Sequence, residues 1–236
     1  MQHLAEIFCF LYNRNMEKKS IILLSGGLDS LVSLGVGIKE YNIQLALTFD
    51  YGQKPVAREI ATSKKITDYY GISHKVISLP FLKEISHNAF TDGDKDLPTE
   101  NLGTKESAKA VWIPNRNGLF LNIAASIADA EHYTHILFGA NKEEGQTFPD
   151  NTQEFVDGIN ESLKYSTFEG VKVVAPLINC SKDDIVKLAL EHKVPLELAY
   201  SCYKGEEQNC GVCESCLHLK KALEDNGAYE YIERLF

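Results

Sequence analysis

A short polar segment at residues 25–30 combines two glycines with an acid and two hydroxyls, directly after an apolar run. The run at 21–24 is typical of a buried parallel strand, and a helical pattern starts within the segment. A glycine turn between a strand and a helix aims backbone N–H groups and the positive end of the helix dipole at one spot. The segment is therefore predicted to bind an anion, most simply a phosphate, although Gly-Gly after a strand is also found in ordinary tight turns.

The form of this turn excludes two common kinds of nucleotide site. The chain contains no G-x-x-x-x-G-K-[ST], so the turn is not the phosphate loop of kinase-like nucleotidases. No G-x-G-x-x-G follows the strand, which argues against a dinucleotide. The sequence S-G-G-L-D-S instead resembles the pyrophosphate loop of the ATP pyrophosphatase superfamily. That resemblance implies an enzyme that holds the phosphates of ATP, activates a carboxylate or carbonyl as its adenylate and releases pyrophosphate.

A second group of reactive side chains lies near the C-terminus, where four cysteines stand at Cys202, Cys210, Cys213 and Cys216. In a reducing cytosol, clustered cysteines are metal ligands more often than disulfides. Four thiolates predict a closed tetrahedral zinc site that staples the C-terminal segment and performs no chemistry. An iron–sulfur cluster also takes four cysteines, but this spacing departs from the ferredoxin patterns.

Two further positions carry polar side chains beside predicted elements. Asp50 and Tyr51 end the second predicted strand, where they would meet the adenine or ribose of a nucleotide or form an ordinary strand-end turn. Arg116 and Asn117 open a predicted helix. A guanidinium at the positive end of a helix is unfavourable unless an anion is near, which favours a phosphate or carboxylate contact over a surface salt bridge.

Acidic side chains are candidates as well. Glu143, Glu144 and Asp150 lie in a long loop after the fourth predicted strand, where they would bind Mg²⁺ or the N–H edge of a base, or simply be solvated. Asp29 is a candidate general base, although an acid in a first helical turn is at least as well explained by capping. The seven histidines form no metal-binding pattern and are assigned no role.

The elements that must position these residues follow an α/β pattern. Apolar runs at 20–24, 44–49, 75–79, 135–139 and 171–175 predict five strands. Helical patterns at 28–41, 56–70, 119–132 and 151–164 separate them, and a capping box at Ser181 with Asp184 starts a later helix. A final helix is expected from about Glu214, and 81–111 and 140–152 are expected to be long loops. The pattern predicts a doubly wound parallel sheet with its ligand at the carboxyl ends of the strands.

Length and charge limit the remaining possibilities. The 236 residues suffice for a nucleotide-binding domain at 17–178 and a C-terminal helical segment with the cysteines at 179–236. Residues 1–16 are predicted to be a short extension, not a signal peptide. The 24 basic and 33 acidic residues give a net charge of −9, which argues against a nucleic acid partner. No apolar stretch approaches the ~20 residues of a membrane span, so a cytoplasmic protein is expected.

The assembled motifs resemble the 7-cyano-7-deazaguanine synthase family of the queuosine pathway. The resemblance runs from about residue 20 to the C-terminus. It rests on S-G-G-L-D-S at 25–30, F-D-Y-G-Q at 49–53, P-N-R-N at 114–117, F-P-D at 148–150, and S-C-Y at 201–203 followed by C-G-x-C-x-S-C at 210–216. The first motif is shared across the superfamily, and the last one narrows the match to this family.

The resemblance implies a five-stranded ATP pyrophosphatase fold, Rossmann-like and similar to the adenine nucleotide alpha hydrolases, with a structural zinc ion and often a homodimer. Its reaction joins 7-carboxy-7-deazaguanine and ammonia, with Mg²⁺ and ATP, through an adenylate and an amide to the nitrile. Catalytic roles would fall to Ser25, Asp29 and Ser30. ATP contacts would come from Leu24, Ser25, Gly26, Gly27, Leu28, Asp29, Ser30, Asp50, Tyr51 and Arg116. Substrate contacts would come from Arg116, Asn117, Glu144, Phe148 and Asp150.

The chain also departs from the family pattern. Pro55 stands where a histidine is common, Tyr200 replaces a tryptophan, and residues 144–152 differ from the family's D-x-S-G-Y-P-D-C-R. These changes touch regions expected to shape the second substrate, so ATP use is predicted more firmly than the identity of that substrate.

Several alternatives stay open on sequence grounds. One is a related enzyme that stops at the amide or passes the activated acyl group to another amine. A second is a tRNA-thiolating enzyme on the same loop, against which the acidic charge weighs. NAD or asparagine synthetase chemistry would leave the cysteines unexplained, and an intact loop speaks against a nucleotide sensor without turnover.

Overall fold

The computed structural model describes residues 18–98, 100, 102 and 104–236. Its centre is a five-stranded parallel sheet with the strand order β3-β2-β1-β4-β5. The strands are β1 (Lys19–Leu23), β2 (Asn42–Asp50), β3 (Ser73–Ser78), β4 (His135–Leu137) and β5 (Lys172–Val174). All five predicted strands are confirmed, with ends that differ from the prediction by at most two residues.

Helices connect the strands and cover both faces of the sheet. In the described part of the chain they are α1 (Leu28–Gly37), α2 (Val56–Tyr70), α3 (Phe81–Ser86), α4 (Lys105–Val111), α5 (Arg116–Ala130), α6 (Gln153–Ser166), α7 (Lys182–Glu191), α8 (Glu214–Asp225) and α9 (Tyr229–Leu235). Short 3-10 turns occur at Glu144–Gln146, Pro149–Asn151 and Leu196–Leu198.

Alternate side chains of β1 and of Leu24, which follows it, pack into two separate hydrophobic cores. Ile22 and Leu24 belong to the core beneath α1, α7 and α8, whereas Ile21 and Leu23 belong to the core beneath α5 and α6. Successive side chains of a strand point to opposite faces, so a strand that is apolar at every position must be covered on both sides. The continuous apolar run in the sequence thus determines that β1 is central.

The strand order places the ligand crevice of the fold next to β1. The chain moves from β1 to β2 and β3 on one side, and it then crosses to β4 and β5 on the other. The switch point therefore lies between β1 and β4, where the connections leave on opposite faces of the sheet. At this point an ideal Cβ on Gly139 would lie 3.1 Å from the Ser30 nitrogen, so the end of β4 packs directly against the first turn of α1.

Several predicted boundaries differ from the structure. The loop expected at 81–111 contains α3 and α4, whose six and seven residues are too short to show a helical period. The helix predicted at 28–41 ends at Gly37. The single helix expected from Glu214 is in fact α8 and α9, because the chain turns at Gly227 with a φ of +67°.

The C-terminal segment packs onto the sheet domain. Ile185 and Val186 of α7 and Leu219 of α8 are buried in the same core as β1 and α1. The boundary at 178/179 remains a prediction, and the extension predicted at 1–16 lies outside the described residues. None of the described helices is long and apolar enough to cross a membrane.

Candidate active site

A cleft of about 230 Å³ opens at the carboxyl ends of β1, β2 and β4. It lies where the strand order predicts a ligand site. Most of the site residues predicted from the sequence line it, namely Leu24, Ser25, Gly27, Leu28, Asp29, Ser30, Tyr51, Arg116, Asn117 and Glu144. The cysteine segment and α7 also reach this cleft, through Ser201, Tyr203 and Lys182.

The glycine turn between β1 and α1 is held in place from behind. The Leu24 carbonyl accepts hydrogen bonds from the hydroxyls of Thr48 at 2.7 Å and Ser63 at 3.2 Å. Gly26 has a φ of +82°, and a Cβ there would lie 2.8 Å from the Thr62 side chain. Any larger residue at position 26 would therefore strain the backbone and clash with α2. Gly26 thus shapes the turn without being one of the residues that line the cleft.

The polar groups of the turn leave several donors unused. The Ser30 hydroxyl donates to the Gly27 carbonyl at 3.1 Å and accepts from the Ser25 N–H at 3.3 Å. Within the described residues, the N–H groups of Gly26, Asp29 and Ser30 have no acceptor. Unpaired amides at a helix N-terminus form an anion site, so the turn has the donor arrangement that a phosphate requires.

Lys182 joins the turn to the loop after β4. Its Nζ lies 2.7 Å from Asp29 Oδ2 and 2.8 Å from Glu144 Oε1, and the Lys182 side chain is only 11% exposed. The Lys182 N–H also donates to Glu143 Oε1 at 2.7 Å. We refer to Asp29, Lys182 and Glu144 as the lysine triad. It brings together residues from α1, α7 and the 3-10 turn after β4.

Burial and charge shift the titration of the lysine triad. Burial alone would lower the pKa of Lys182, but Asp29 and Glu144 raise that pKa well above its ordinary value. Burial raises the pKa of Asp29 to about 6 against the opposing effect of Lys182. Burial also acts to raise the pKa of Glu144, yet Lys182 holds it below its usual value. Asp29 Oδ1 is buried and has no partner among the described residues. The triad therefore retains one free carboxylate oxygen.

A second cation, Arg116, is contributed by the start of α5. Its guanidinium donates to the Tyr51 hydroxyl and to Asn117 Oδ1, each at 3.2 Å. Burial acts to lower the pKa of Arg116, but Tyr51, Asp150 and, more weakly, Glu59 raise it. The Glu59 carboxylate accepts a hydrogen bond from Gln53 Nε2 at 2.7 Å. Burial raises the pKa of Glu59 to about 7 and that of Tyr51 to about 12. Arg116 therefore has neutral or protonatable neighbours instead of a fixed counter-ion.

A smaller cavity of about 60 Å³ adjoins the cleft and shares Arg116 and Tyr203 with it. Phe148 and Asp150 line this smaller cavity. The Phe148 ring is nearly parallel to that of Trp112, with the centroids 5.9 Å apart and the planes at 11°. Burial raises the pKa of Asp150, although Arg116 opposes the shift. Flat aromatic faces beside a guanidinium and a carboxyl group suit a planar, polar heterocycle.

Asp50 is placed differently from the other predicted site residues. It does not line either cavity, and its carboxylate accepts from the Gly52 N–H at 3.1 Å, closing the turn after β2. Two interpretations were open for residues 50 and 51. Asp50 has the geometry of a strand-end turn, whereas Tyr51 faces the cleft.

Several cleft residues had no predicted role, among them Lys182, Ser201, Glu59 and Tyr203. Lys182 follows the cap residue Ser181, so a cation stands at the positive end of α7. Such a cation is unfavourable without a nearby anion, and this signal could have identified Lys182 from sequence. Ser201 and Tyr203 belong to the S-C-Y motif at 201–203, but neither its residue types nor its spacing assigns them to the cleft, and nothing local distinguishes Glu59.

The four predicted metal ligands are brought together by the fold. The sulfurs of Cys202, Cys210, Cys213 and Cys216 all lie within 4.8 Å of one another. The Cys210 and Cys216 sulfurs are 3.9 Å apart. Thiolates bound at 2.3 Å around a tetrahedral Zn²⁺ would be about 3.8 Å apart, so the cluster fits such an ion. Backbone N–H groups of Lys204 and Cys213 point at two of the sulfurs, as expected for thiolate ligands.

Comparison with known proteins identifies the family of the chain. A solved NMN synthetase from Francisella tularensis covers 96% of this chain and 84% of its own, with 18% identity and a TM-score of 0.47, too low to bear on function. The 7-cyano-7-deazaguanine synthase of Carboxydothermus hydrogenoformans is 49% identical over 214 residues, covering 89% of this chain and 100% of the relative. That of Methanosarcina barkeri is 45% identical over 228 residues, covering 92% and 99%. The family described as Queuosine biosynthesis protein QueC matches residues 19–227, and the chain belongs to that family.

Proposed function

We propose that this chain is a carbon–nitrogen ligase that converts 7-carboxy-7-deazaguanine and ammonia into 7-cyano-7-deazaguanine at the expense of ATP. The relatives reported above carry the name of this synthase. The observation that carries the proposal is the glycine turn with its unpaired amides at the mouth of the sheet, beside the partly buried cations Lys182 and Arg116.

The turn is the proposed site of the ATP phosphates. Residues 24–30 would surround the pyrophosphate, with the Ser25 and Ser30 hydroxyls adding hydrogen bonds to those of the amides. Tyr51 and Asp50, at the end of β2, would adjoin the nucleoside, Tyr51 directly and Asp50 through the turn that it closes. Arg116 would balance negative charge in the cleft, where water is partly excluded, and Lys182 would hold the turn against the loop after β4.

The proposed reaction runs through two activations. A carboxylate oxygen of the acid attacks the α-phosphorus of ATP, and pyrophosphate leaves to give the acyl adenylate. Ammonia attacks the acyl carbon, AMP leaves, and the nitrogen loses a proton to give the amide. The amide oxygen then attacks the α-phosphorus of a second ATP and pyrophosphate leaves; loss of AMP and of both protons on the nitrogen forms the nitrile. Positioning and charge stabilisation supply most of the catalysis in such a scheme.

Asp29 fits the role of a proton acceptor in this scheme. Its pKa of about 6 keeps it ionised at neutral pH yet close enough to accept a proton, and Oδ1 is unpartnered. Glu144 would help to hold Mg²⁺, whose ligands are carboxylate oxygens. When bound, that ion would neutralise charge on the phosphates.

The deazaguanine acid is proposed to occupy the region between the cleft and the smaller cavity. Arg116 makes no ion pair within 4.0 Å among the described residues, so its guanidinium is available to a carboxylate. Asn117, Glu144 and Asp150 would meet the polar edge of the base, and Phe148 its face. Since Arg116 also lies near the nucleoside side of the cleft, it would orient the acid toward the α-phosphate.

The cysteine cluster would hold Zn²⁺, which would stabilise the C-terminal segment and take no part in the reaction. We further propose that the protein works as a cytoplasmic homodimer on small molecules, with no nucleic acid or membrane partner. The net charge of −9 supports the absence of a nucleic acid partner.

The test is turnover of 7-carboxy-7-deazaguanine, ammonium and Mg-ATP by the metal-replete full-length protein, followed by mass spectrometry. We expect the nitrile together with pyrophosphate and AMP. Ser25→Ala should lose activity and keep its metal. Accumulation of the amide alone, or recovery of the untouched acid, would contradict the proposed product.

A further inference from the structure

Helix α1 has no cap of its own. Its N-cap residue is Gly27, which has no side chain to accept a hydrogen bond. The acceptor comes instead from a residue 173 positions away: the Leu28 N–H donates to Ser201 Oγ at 3.3 Å. Ser201 immediately precedes the metal ligand Cys202 in the S-C-Y motif. The cysteine segment therefore caps the helix that begins at the phosphate turn.

Further contacts hold Ser201 over the turn. The neighbouring Tyr200 N–H donates to the Gly26 carbonyl at 2.9 Å. A Cβ on Gly27 would lie 3.9 Å from Ser201 Oγ. The Ser201 N–H donates to Asn209 Oδ1 at 3.0 Å, and the Asn209 amide donates to the Leu235 carbonyl at 3.1 Å. The hydrogen bonds of the Tyr200 and Ser201 backbone N–H groups therefore hold the Ser201 hydroxyl in position.

The donor capacity of Ser201 is unused. Its oxygen accepts from Leu28, while its hydroxyl proton has no acceptor among the described residues. Ser201 lines the cleft on the same wall as Gly27 and Asp29. A phosphate bound by the free amides of the turn would bring an acceptor to this proton, and hydrogen bonds to charged groups are the stronger ones.

We propose that Ser201 is a phosphate-positioning residue: it accepts from the first amide of α1 and donates its own proton to the anion in the turn. This makes the cysteine cluster part of the nucleotide site, because Cys202 anchors the residue that completes the donor set. The inference rests on the proposed function, since it assumes that the turn binds the phosphates of ATP.

The test compares the ATP affinity of Ser201→Ala and Ser201→Thr with that of the unsubstituted protein. Calorimetry with Mg-ATP on metal-replete full-length protein gives the dissociation constants, and elemental analysis gives the metal content. Ser201→Ala should bind about tenfold more weakly, equivalent to about 1.4 kcal/mol, with its metal retained and its melting temperature lowered by only a few degrees through loss of the cap. Ser201→Thr keeps the hydroxyl and should stay within about twofold of the unsubstituted protein.

Val212→Ala is a matched control. Val212 lies between two metal ligands, is 55% exposed and does not line the cleft, so its truncation should leave ATP affinity unchanged. Equal affinities for Ser201→Ala and the unsubstituted protein would overturn the inference and leave the proposed function standing. Equal losses in the alanine and threonine variants would also overturn it, because the hydroxyl would then not be responsible. If the unsubstituted protein bound no ATP, the proposed function itself would fail, and the inference with it.

Discussion

Among the described residues, two cations line the cleft, Lys182 and Arg116, and their surroundings differ. Lys182 lies between Asp29 and Glu144, with both carboxylates within 2.8 Å of its ammonium. Arg116 instead donates to a phenol and an amide, and it has no carboxylate within ion-pair distance among the described residues. A cation held by two anions fixes the elements that carry them, whereas a cation with neutral partners keeps its charge available to a ligand. We use the name phosphate wall for the part of the cleft lining formed by the turn at 25–30, Lys182 and Ser201. We infer that Lys182 organises the phosphate wall and that Arg116 recognises a substrate anion.

The strongest way to break this comparison is to remove the cysteine cluster from the phosphate wall. Cys213→Ser should lose the metal, lower the melting temperature by about 10 °C or more and abolish measurable ATP binding, because folding of the segment depends on the ion. Calorimetry, scanning calorimetry and elemental analysis measure these three effects. Cys180→Ser, at a partly buried thiol outside the cluster, should keep the metal. If ATP binding survived loss of the metal, the phosphate wall would not depend on the cysteine cluster.

The next largest effect is expected from Lys182→Met, which leaves two carboxylates close together without their shared counter-ion. Breaking a buried ion pair from one side costs about 3 kcal/mol, and kcat/KM should fall about 100-fold. Urea unfolding and steady-state kinetics measure the two quantities. Lys187→Met, at an exposed position on the same helix, should change neither. An unchanged free energy of unfolding would show that the triad does not organise the wall.

Arg116→Lys sharpens the other half of the comparison. The charge is kept but the planar fork is lost, so we expect KM for the deazaguanine acid to rise about tenfold with little change in the free energy of unfolding. Arg58→Lys, at a half-buried arginine that does not line the cleft, serves as the control. A loss of stability as large as that of Lys182→Met would mean that Arg116 is also structural.

The smallest effect concerns the acid beside Arg116. Burial raises the pKa of Glu59 from 4.5 to about 7, so the folded state binds a proton more tightly than the unfolded state. Its contribution to stability is therefore fully present below about pH 4.5 and is lost as the pH rises towards 7. Glu59→Gln should remove this loss and raise stability at pH 8 by about 1–2 kcal/mol after allowance for solvent screening. Urea unfolding at pH 5 and pH 8 measures the difference, and identical pH slopes in both proteins would contradict the assignment.

The sheet and most of its helices could be predicted because their signals are local. The apolar run before Ser25 and the alternation of strands and helices along the chain are enough to indicate a parallel sheet and its ligand-binding edge. The two short helices α3 and α4 could not be predicted, since six or seven residues give too few turns for a periodic pattern. The break at Gly227 was missed because a glycine inside a helical pattern does not by itself show that the helix ends.

The residues of the site divide in the same way. The turn at 25–30, Arg116 and the four cysteines were identified by residue type and spacing within short segments, and their proximity follows from the fold. Lys182 and Ser201 were not identified, because each acts on a partner 153 or 173 residues away. No spacing rule reaches over such distances.

By itself, the sequence determined the anion-binding turn, the metal-binding cysteines, the order of the elements and the family to which the chain is similar. Only the tertiary structure decided which cation is paired and which is free, that Asp50 closes a turn while Tyr51 faces the cleft, and that the cysteine segment caps α1. The physical reason is that the geometry of a backbone turn and the spacing of metal ligands depend on residues that are neighbours in the sequence. Charge pairing and capping instead depend on which polar groups of distant residues the packed core brings within about 3 Å of one another.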